Sequence, residues 1–233
     1  MKPIDLDVVP PITTGWWIIG HAGVILVIRG AKRLRVRGRH HLPRNGPTLV
    51  VSNHVSQFDP PAVGLAISPR KAYYMAKEEL FAIPVVGRVI WRLGAFAVER
   101  GGADRRALRH AREVLRRGDV LLMFPEGTRN PEGIMRPGLP GAGSLALEPG
   151  VAVIPVAIWG SQRRWGPIRV VFGPRLDLTD LVEGGGPRSR RAQEAVERMM
   201  AAVAALLPAA GGPAQPPRGG RDEAAAPPEV VDG

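Results

Sequence analysis

The sequence contains no cysteine, which excludes disulfide bonds, thiolate zinc sites and a cysteine nucleophile. Aromatic residues are few: five tryptophans, two tyrosines and five phenylalanines among 233 residues. This scarcity, with no nucleic-acid-binding motif, argues against a nucleic-acid-binding protein. The chain also lacks the P-loop pattern of nucleotide hydrolases and the Gly-x-Ser-x-Gly elbow of serine hydrolases. A covalent acyl-enzyme is therefore not indicated.

The composition is that of a globular protein with an excess of positive charge. Hydrophobic residues make up 45% of the chain and charged residues 23%, and the length suits one to one and a half domains. The formal net charge is +11. A protein this basic attracts phosphate groups, whether on nucleic acid, on an anionic membrane or on a substrate. Composition alone does not choose among these three.

The N-terminal region combines an apolar stretch with a basic run. The dense apolar part, Trp16 to Ile28, would span roughly 20 Å as a helix, too short to cross a hydrocarbon core of about 30 Å. The basic residues from Arg29 to Arg44 follow with no acid between them. We therefore predict a segment that contacts the cytoplasmic surface of a membrane. The alternative is a first core helix followed by a solvated edge strand.

The middle of the chain alternates short apolar runs with helical patterns, which predicts a single α/β domain with a mostly parallel or mixed sheet flanked by helices. Apolar residues at helical spacing predict a helix over Asp104–Arg117, capped by Asp104 and ended by Gly118. Further helices are predicted between Pro84 and Gly94 and over Arg191–Leu207. Predicted strands are Thr48–Ser52, Ala72–Met75, Ala95–Val98, Val120–Phe124, Val151–Ile158 and Ile168–Phe172. The predicted organisation is a membrane-associated segment (1–30), a folded domain (31–208) and a disordered Ala/Pro/Gly-rich tail (209–233).

Three polar clusters each follow a predicted strand: Asn53–Asp59, Glu99–Arg100 and Pro125–Arg129. In open α/β sheets, sites form beyond the carboxyl ends of the strands. If these strands are parallel neighbours, the three clusters share one edge of the sheet. The glycine-rich stretch 141–146 does not directly follow a strand, so we interpret it as close packing rather than as a dinucleotide site.

His54 and Asp59 have the side chains of a general base and its orienting carboxylate. A neutral imidazole can take a proton from an attacking alcohol, and a carboxylate on its other nitrogen fixes the tautomer. A turn leading into a helix at Pro60 and Pro61 could bring the two together. In the alternative interpretation, Asp59 only caps that helix and His54 is an ordinary loop histidine. One His–Asp pair supplies too few ligands for a metal site.

The segment after the strand at Val120 has groups suited to a phosphate. Arg129 can bind a phosphate bidentately, and Thr128 and the amides around Gly127 can donate hydrogen bonds to it. Glu126 could orient Arg100 or Arg129, or bind a substrate hydroxyl. The alternative is a strand-end turn with a surface ion pair.

Taken in order, these blocks resemble the lysophospholipid and glycerophosphate acyltransferase family, especially its bacterial 1-acylglycerol-3-phosphate acyltransferases. The resemblance covers about residues 33–175. The first block is Asn53–Asp59, with the pattern Asn-His-x4-Asp, and the second is Gly94–Arg100. The third block is Phe124–Arg129, which reads Phe-Pro-Glu-Gly-Thr-Arg, and the fourth is Val153–Val156. The stretch Lys77–Leu80 also resembles the family.

The resemblance implies acyl transfer from acyl-CoA or acyl-carrier protein to the free hydroxyl of a lysophospholipid acceptor, 1-acylglycerol 3-phosphate, making phosphatidic acid. No bound cofactor or metal is implied. The alternatives are an acyltransferase for glycerol 3-phosphate or another lysolipid and, less favoured, a non-enzymatic nucleic-acid-binding protein. The implied catalytic residues are His54 and Asp59, the implied acceptor-binding residues are Ser56, Arg100, Glu126, Gly127, Thr128 and Arg129, and the acyl-chain side is Val153, Ile154 and Pro155.

Two positions depart from the family pattern. Glu99 stands before Arg100 where relatives usually have aspartate. After the third block, relatives usually carry a lysine near a glycine, and here Arg136 is the nearby cation. Since lysine and arginine are not interchangeable, the second departure bears on the acceptor more than on the reaction.

The resemblance also implies a location at the cytoplasmic face of the cell membrane, as a peripheral or monotopic protein. The implied partners are the phospholipid surface and, if it is the acyl donor, acyl-carrier protein.

Overall fold

The secondary structure alternates strands and helices along the chain. The structure is a computed structural model and describes residues 4–13, 15, 33–99 and 104–215. The strands are β1 (Leu34–Arg37), β2 (Thr48–Ser52), β3 (Ala72–Lys77), β4 (Ala95–Val98), β5 (Val120–Met123), β6 (Ala152–Trp159) and β7 (Ile168–Phe172). The helices are α1 (Asp59–Ile67), α2 (Glu79–Ala82), α3 (Pro84–Arg92), α4 (Arg105–Arg116), α5 (Pro140–Ala146), α6 (Thr179–Glu183) and α7 (Arg188–Ala210).

The strands form one mixed seven-stranded sheet in the order β1-β7-β6-β2-β5-β3-β4. Strands β2 to β6 are parallel; β7 is antiparallel to β6, and β1 is parallel to β7. The five parallel strands therefore end at one edge of the sheet, which we call the carboxyl edge. This arrangement confirms the predicted single α/β domain with a mixed sheet flanked by helices.

Both faces of the sheet are covered, which is why its central strands are apolar runs rather than alternating patterns. Every residue of β2, β5 and β6 is buried. Helix α1 packs with one face of the sheet, and α4, α5 and α7 pack with the other. The carboxyl ends of these strands are held in place by core packing on both sides.

Helix α4 forms as the sequence predicts, and the glycine-rich stretch lies in helix α5. The Asp104 side chain caps α4 by accepting the Ala107 N–H at 2.9 Å, and Gly118 follows the helix with a φ of +78°. The glycine-rich stretch is a packing surface, because a Cβ on Gly143 would lie 1.8 Å from the carbonyl oxygen of Ala192 on α7.

The N-terminal residues correct the predicted boundary at residue 30. Ile12 lies in the largest core cluster, its carbonyl accepts a hydrogen bond from Lys71, and the Asp7 carbonyl is 3.0 Å from Nε2 of His110. Residues 4–13 therefore pack on the folded domain instead of forming part of a separate membrane segment. The apolar stretch from Trp16 to Ile28 lies outside the described residues. In the part of the chain that the structure describes, no helix is long and apolar enough to cross a membrane.

The two ends of the predicted domain also differ from expectation. Residues 34–37 form the edge strand β1, which is the alternative interpretation that the sequence offered for part of the basic run. At the other end α7 continues to Ala210, which is fully buried, so the predicted start of the tail at 209 was wrong. Gln215 still contacts the domain through the Met135 N–H and the Gly133 carbonyl. Residues 216–233 lie outside the described residues.

Candidate active site

The loops after β2 and β5 meet at the carboxyl edge, because these two strands are neighbours. The His54 N–H donates to Oε1 of Glu126 at 3.0 Å, and the Asn130 N–H donates to the His54 carbonyl at 2.7 Å. The predicted convergence of the first and third polar clusters is confirmed. The second cluster follows β4, which lies two strands beyond β5.

The side chains of His54 and Asp59 are in direct contact. Nδ1 of His54 lies 2.8 Å from Oδ2 of Asp59, which is fully buried at the start of α1. The same oxygen accepts the backbone N–H groups of Val55 and Ser56, each at 2.7 Å. The predicted turn into a proline-started helix therefore brings the two side chains together, and Asp59 organises the whole loop.

The imidazole is held on its face as well as at its edge. The ring of His54 stacks on Phe124, with centroids 4.2 Å apart and planes 22° apart, and its side chain is 12% exposed. Because Nδ1 faces the carboxylate, the neutral tautomer with a proton on Nδ1 leaves Nε2 as the acceptor nitrogen. This geometry equips Nε2 to remove a proton from a bound hydroxyl.

Glu126 hydrogen-bonds to backbone and not to Arg129, one of the two arginines that it was expected to orient; Arg100, the other, lies outside the described residues. Its carboxylate is buried and accepts the N–H of His54 and the N–H of Arg136, the latter at 3.1 Å. Burial raises the pKa of Glu126, and the two backbone hydrogen bonds partly offset that rise. Among the described residues no arginine forms an ion pair with it.

Two buried side chains complete the site, and the sequence reasoning gave them no role. The Ser161 hydroxyl donates to Oδ1 of Asp59 at 2.5 Å. Asn53 exchanges two hydrogen bonds with the backbone of Ile158, which ties the end of β2 to β6. Asn53 was visible as the first letter of a motif, whereas Ser161 follows a strand end with no signal beyond the preceding Gly160.

The predicted acceptor-binding residues lie around this centre. Gly127 has a φ of +67°, and a Cβ there would lie 2.8 Å from Cδ1 of Leu139, so the turn requires glycine. Thr128 is half-buried and Arg129 is exposed. Ser56 serves the turn itself, because its hydroxyl accepts the N–H of Phe58 at 3.2 Å.

The remaining predicted residues are Arg100 and three residues of β6. Arg100 lies outside the described residues, and Glu99, which precedes it, is exposed. Val153, Ile154 and Pro155 are buried in β6, and the β6 residue opposite the last residue of β2 is Val156. These three side chains lie in the core, several residues before the carboxyl edge, so the structure does not support them as the acyl-chain side. Within the ranges described, no three metal-ligating side chains converge.

Comparison with known proteins agrees with this geometry. The family model described as Acyltransferase matches residues 33–159, which includes β1, both site loops and the end of β6. The chain is 27% identical over 164 residues to the 1-acyl-sn-glycerol-3-phosphate acyltransferase of Bacillus subtilis, covering 68% of this chain and 80% of that protein. It is 37% identical over 154 residues to the lyso-ornithine lipid O-acyltransferase of Pseudomonas aeruginosa, covering 66% of this chain and 55% of that protein.

The fold has a solved counterpart. The crystal structure of the 1-acyl-sn-glycerophosphate acyltransferase PlsC from Thermotoga maritima superposes with a TM-score of 0.59 at 27% sequence identity, covering 80% of this chain and 79% of that chain. The match to the human 1-acyl-sn-glycerol-3-phosphate acyltransferase alpha is 34% identical over 134 residues, and the chain spans only about half that relative's length, 47%. A family model that covers more than half of the chain, a matching fold and a paired histidine and aspartate agree: this chain is an enzyme of the Acyltransferase family.

Proposed function

We propose that the protein transfers a fatty acyl group from a thioester donor to the free hydroxyl of 1-acylglycerol 3-phosphate, making phosphatidic acid. The observation that carries the proposal is the contact between Nδ1 of His54 and the buried carboxylate of Asp59, which leaves Nε2 to act at the carboxyl edge. The names of the Bacillus subtilis and Thermotoga maritima relatives support the choice of acceptor.

The proposed reaction is a direct attack with one general base. Nε2 of His54 takes the proton of the acceptor hydroxyl as its oxygen attacks the thioester carbonyl carbon. The Asp59 carboxylate stabilises the imidazolium that forms. The carbon–sulfur bond then breaks, and the thiolate leaves with the proton that His54 received, so the products are an oxygen ester and a free thiol.

The cations that follow β4 and β5 are proposed to hold the acceptor phosphate. Arg129 is exposed on the turn whose backbone is bonded to His54, so its charge belongs to the same surface as the general base. Thr128 and the amide of Gly127 are further donors in that turn, and we propose that Arg100 joins them. A guanidinium binds a phosphate bidentately, which fixes the orientation of the hydroxyl as well as its position.

We further propose that the enzyme works at the cytoplasmic face of the cell membrane, as a peripheral or monotopic protein. Its acceptor and product are lipids, and the net charge of +11 favours an anionic surface. Either acyl-CoA or acyl-carrier protein is proposed as the donor.

A second candidate acceptor is a lysolipid without a phosphate. The relative with the lyso-ornithine lipid acyltransferase name is 37% identical to this chain, which is above the identity to the Bacillus subtilis enzyme. An ornithine lipid offers a carboxylate and an amine instead of a phosphate. The two candidates share the general base and differ in what the exposed arginines bind.

A thiol-release assay with a panel of acceptors tests the reaction and distinguishes the candidates. His54→Ala should lower kcat by about 10²–10⁴-fold, the usual contribution of a general base. His40→Ala, at an exposed histidine in the turn Arg39–His41, is the matched control and should keep full activity. Full activity in folded His54→Ala would refute the mechanism.

Arg129→Ala then tests the acceptor. For a phosphate acceptor, loss of a charge-assisted hydrogen bond worth about 1.5–3 kcal/mol should raise KM by about 10–100-fold. The KM for the thioester donor should stay the same. Faster turnover of lyso-ornithine lipid than of 1-acylglycerol 3-phosphate by the wild-type enzyme would select the second candidate.

A further inference from the structure

The loop between β6 and β7, residues 160–167, displays an unusual set of side chains. Trp165 is 66% exposed, and Arg163 and Arg164 beside it are also exposed. The Arg164 guanidinium lies 5.9 Å from the Trp165 ring centroid, and that of Arg163 lies 6.0 Å from the buried Trp159. The loop contains no acidic residue. This short hairpin loop therefore presents an exposed indole and two cations side by side.

This loop is structurally joined to the catalytic pair. Its second residue, Ser161, donates to the carboxylate of Asp59, and Asp59 contacts His54. The loop follows the carboxyl end of β6, which neighbours β2, so it stands on the carboxyl edge beside the site. Trp165 therefore lies four residues beyond a side chain that is hydrogen-bonded to the catalytic pair.

Other exposed apolar side chains occur on the same edge. Each follows the carboxyl end of a parallel strand. Phe58 follows β2; Leu80, Ile83 and Val85 follow β3; and Ile134 and Leu139 follow β5, with exposed fractions between 38% and 73%. The carboxyl edge thus combines apolar side chains with arginines, and the loop of residues 160–167 presents both in one place.

A bilayer with anionic headgroups matches this chemistry. Tryptophan prefers the membrane–water interface, where its ring meets the acyl boundary and its N–H meets water and headgroups. Arginine binds lipid phosphates, and its guanidinium stacks on an aromatic ring without losing its charge. An acidic protein would complement the charge of the two arginines but would not by itself account for the apolar side chains around them.

We propose that the loop of residues 160–167 docks the enzyme on an anionic phospholipid surface, with Trp165 in the interface and Arg163 and Arg164 on headgroup phosphates. This proposal rests on the lipid acyltransferase function proposed above. It identifies the carboxyl edge as the face toward the bilayer, so a lipid acceptor reaches His54 without leaving the membrane.

Vesicle binding by the full-length chain tests the two arginines. The vesicles contain phosphatidylglycerol and phosphatidylcholine, with pure phosphatidylcholine as the neutral reference. R163A/R164A should weaken binding to the anionic vesicles by about 30-fold at about 0.05 M salt, since each of the two cations near the surface contributes a factor of about five. The control R116A/R190A removes the same charge from exposed positions at the opposite edge of the sheet and should weaken binding much less. Equal weakening by the two variants overturns the proposal.

Quenching by brominated lipids tests the tryptophan. Wild-type fluorescence should be quenched more than that of Trp165→Phe, which keeps an aromatic ring but removes the reporting indole. Trp165→Ala should weaken the salt-resistant part of vesicle binding, because burial of an indole is not screened by ions. Equal quenching of wild type and Trp165→Phe shows that Trp165 stays in water and refutes the placement.

Activity separates this proposal from the function on which it rests. R163A/R164A should keep wild-type kcat on a short-chain acceptor below its aggregation concentration and lose activity on the same headgroup embedded in vesicles. If the wild-type enzyme releases no thiol with any acceptor tested, the proposed function fails while the vesicle results stand. If R163A/R164A binds vesicles normally but raises KM for acyl-carrier protein donors alone, the loop binds an acidic protein and the lipid proposal is wrong.

Discussion

Ser161→Ala tests whether the carboxylate behind the general base must be held from both sides. Asp59 is fully buried and accepts hydrogen bonds from four groups: three reach Oδ2, and the Ser161 hydroxyl reaches Oδ1. Alanine removes the fourth donor with almost no change in shape. Hydrogen bonds to charged groups contribute about 1.5–3 kcal/mol, so the free energy of unfolding should fall by about that amount.

The kinetic consequence follows from what the carboxylate does. Without Ser161, Asp59 can rotate about its side-chain bonds, and the His54 ring loses part of its orientation. Since about 1.4 kcal/mol corresponds to a tenfold change in rate, kcat should fall about 10–100-fold. KM for the acceptor should change little, because Ser161 is buried behind Asp59. A purely structural role would lower stability and leave kcat of the folded enzyme unchanged.

The assay follows thiol release with a chromogenic thiol reagent, and the chain suits it because it has no cysteine to react. Urea denaturation gives the free energy of unfolding for the same proteins. Ser161→Thr keeps the hydroxyl and should recover most of the lost kcat. Ser144→Ala, at a half-buried serine on α5 far from the site, is the matched control. An unchanged kcat in Ser161→Ala would refute the reasoning.

Glu126→Gln should lower both stability and kcat, because an amide cannot accept the N–H of His54 and the N–H of Arg136 at once. The raised pKa of Glu126 means that the folded state binds this proton more tightly than the unfolded state. One contribution to the wild-type free energy of unfolding should therefore be fully present below the ordinary glutamate pKa and be lost as the pH rises through the raised pKa of Glu126. Urea titrations of Glu126→Gln across pH should lack this contribution. Gly143→Ala should cost about 1–3 kcal/mol in thermal or urea unfolding, because its Cβ would collide with the backbone of α7. Gly141→Ala, where the nearest atom to a new Cβ lies 3.4 Å away, should be neutral or stabilising, and equal losses in the two variants would contradict this packing.

The elements that were predictable from sequence carry strong local signals. Strands β2 and β4 were predicted at their observed bounds because buried parallel strands are uninterrupted apolar runs between turns. Helix α4 was predictable from its periodicity and from Asp104 as its cap. Strand β1 was predicted only as the alternative interpretation, because its two arginines and solvated face make it look like part of a basic run. Only its pairing with β7 makes it a strand.

The site was predictable where chemistry follows local spacing and not where it depends on tertiary contacts. His54 and Asp59 are only five positions apart in a turn that ends at two prolines, so the pairing could be predicted. Ser161 reaches Asp59 across 102 residues of sequence, and no local pattern identifies that contact. Glu126 has the residue type expected of a charge partner, but burial and two backbone donors determine what it binds. Ile154 was assigned to the acyl-chain side from a motif, and the structure shows that it is buried in the core of β6.

The position of β2 in the middle of the sheet fixes the order in which the active site can assemble. Strand β2 is synthesised early, yet both of its neighbours, β5 and β6, come much later in the chain. Pairing over such separations closes long loops and is slow compared with formation of local helices such as α4 and α7. The bonds from Asn53 to Ile158 and from Ser161 to Asp59 can form only when β6 has joined β2. Catalytic competence is therefore acquired at the last closure of the sheet, so enzymatic activity regained after dilution from denaturant should trail the recovery of helical circular dichroism.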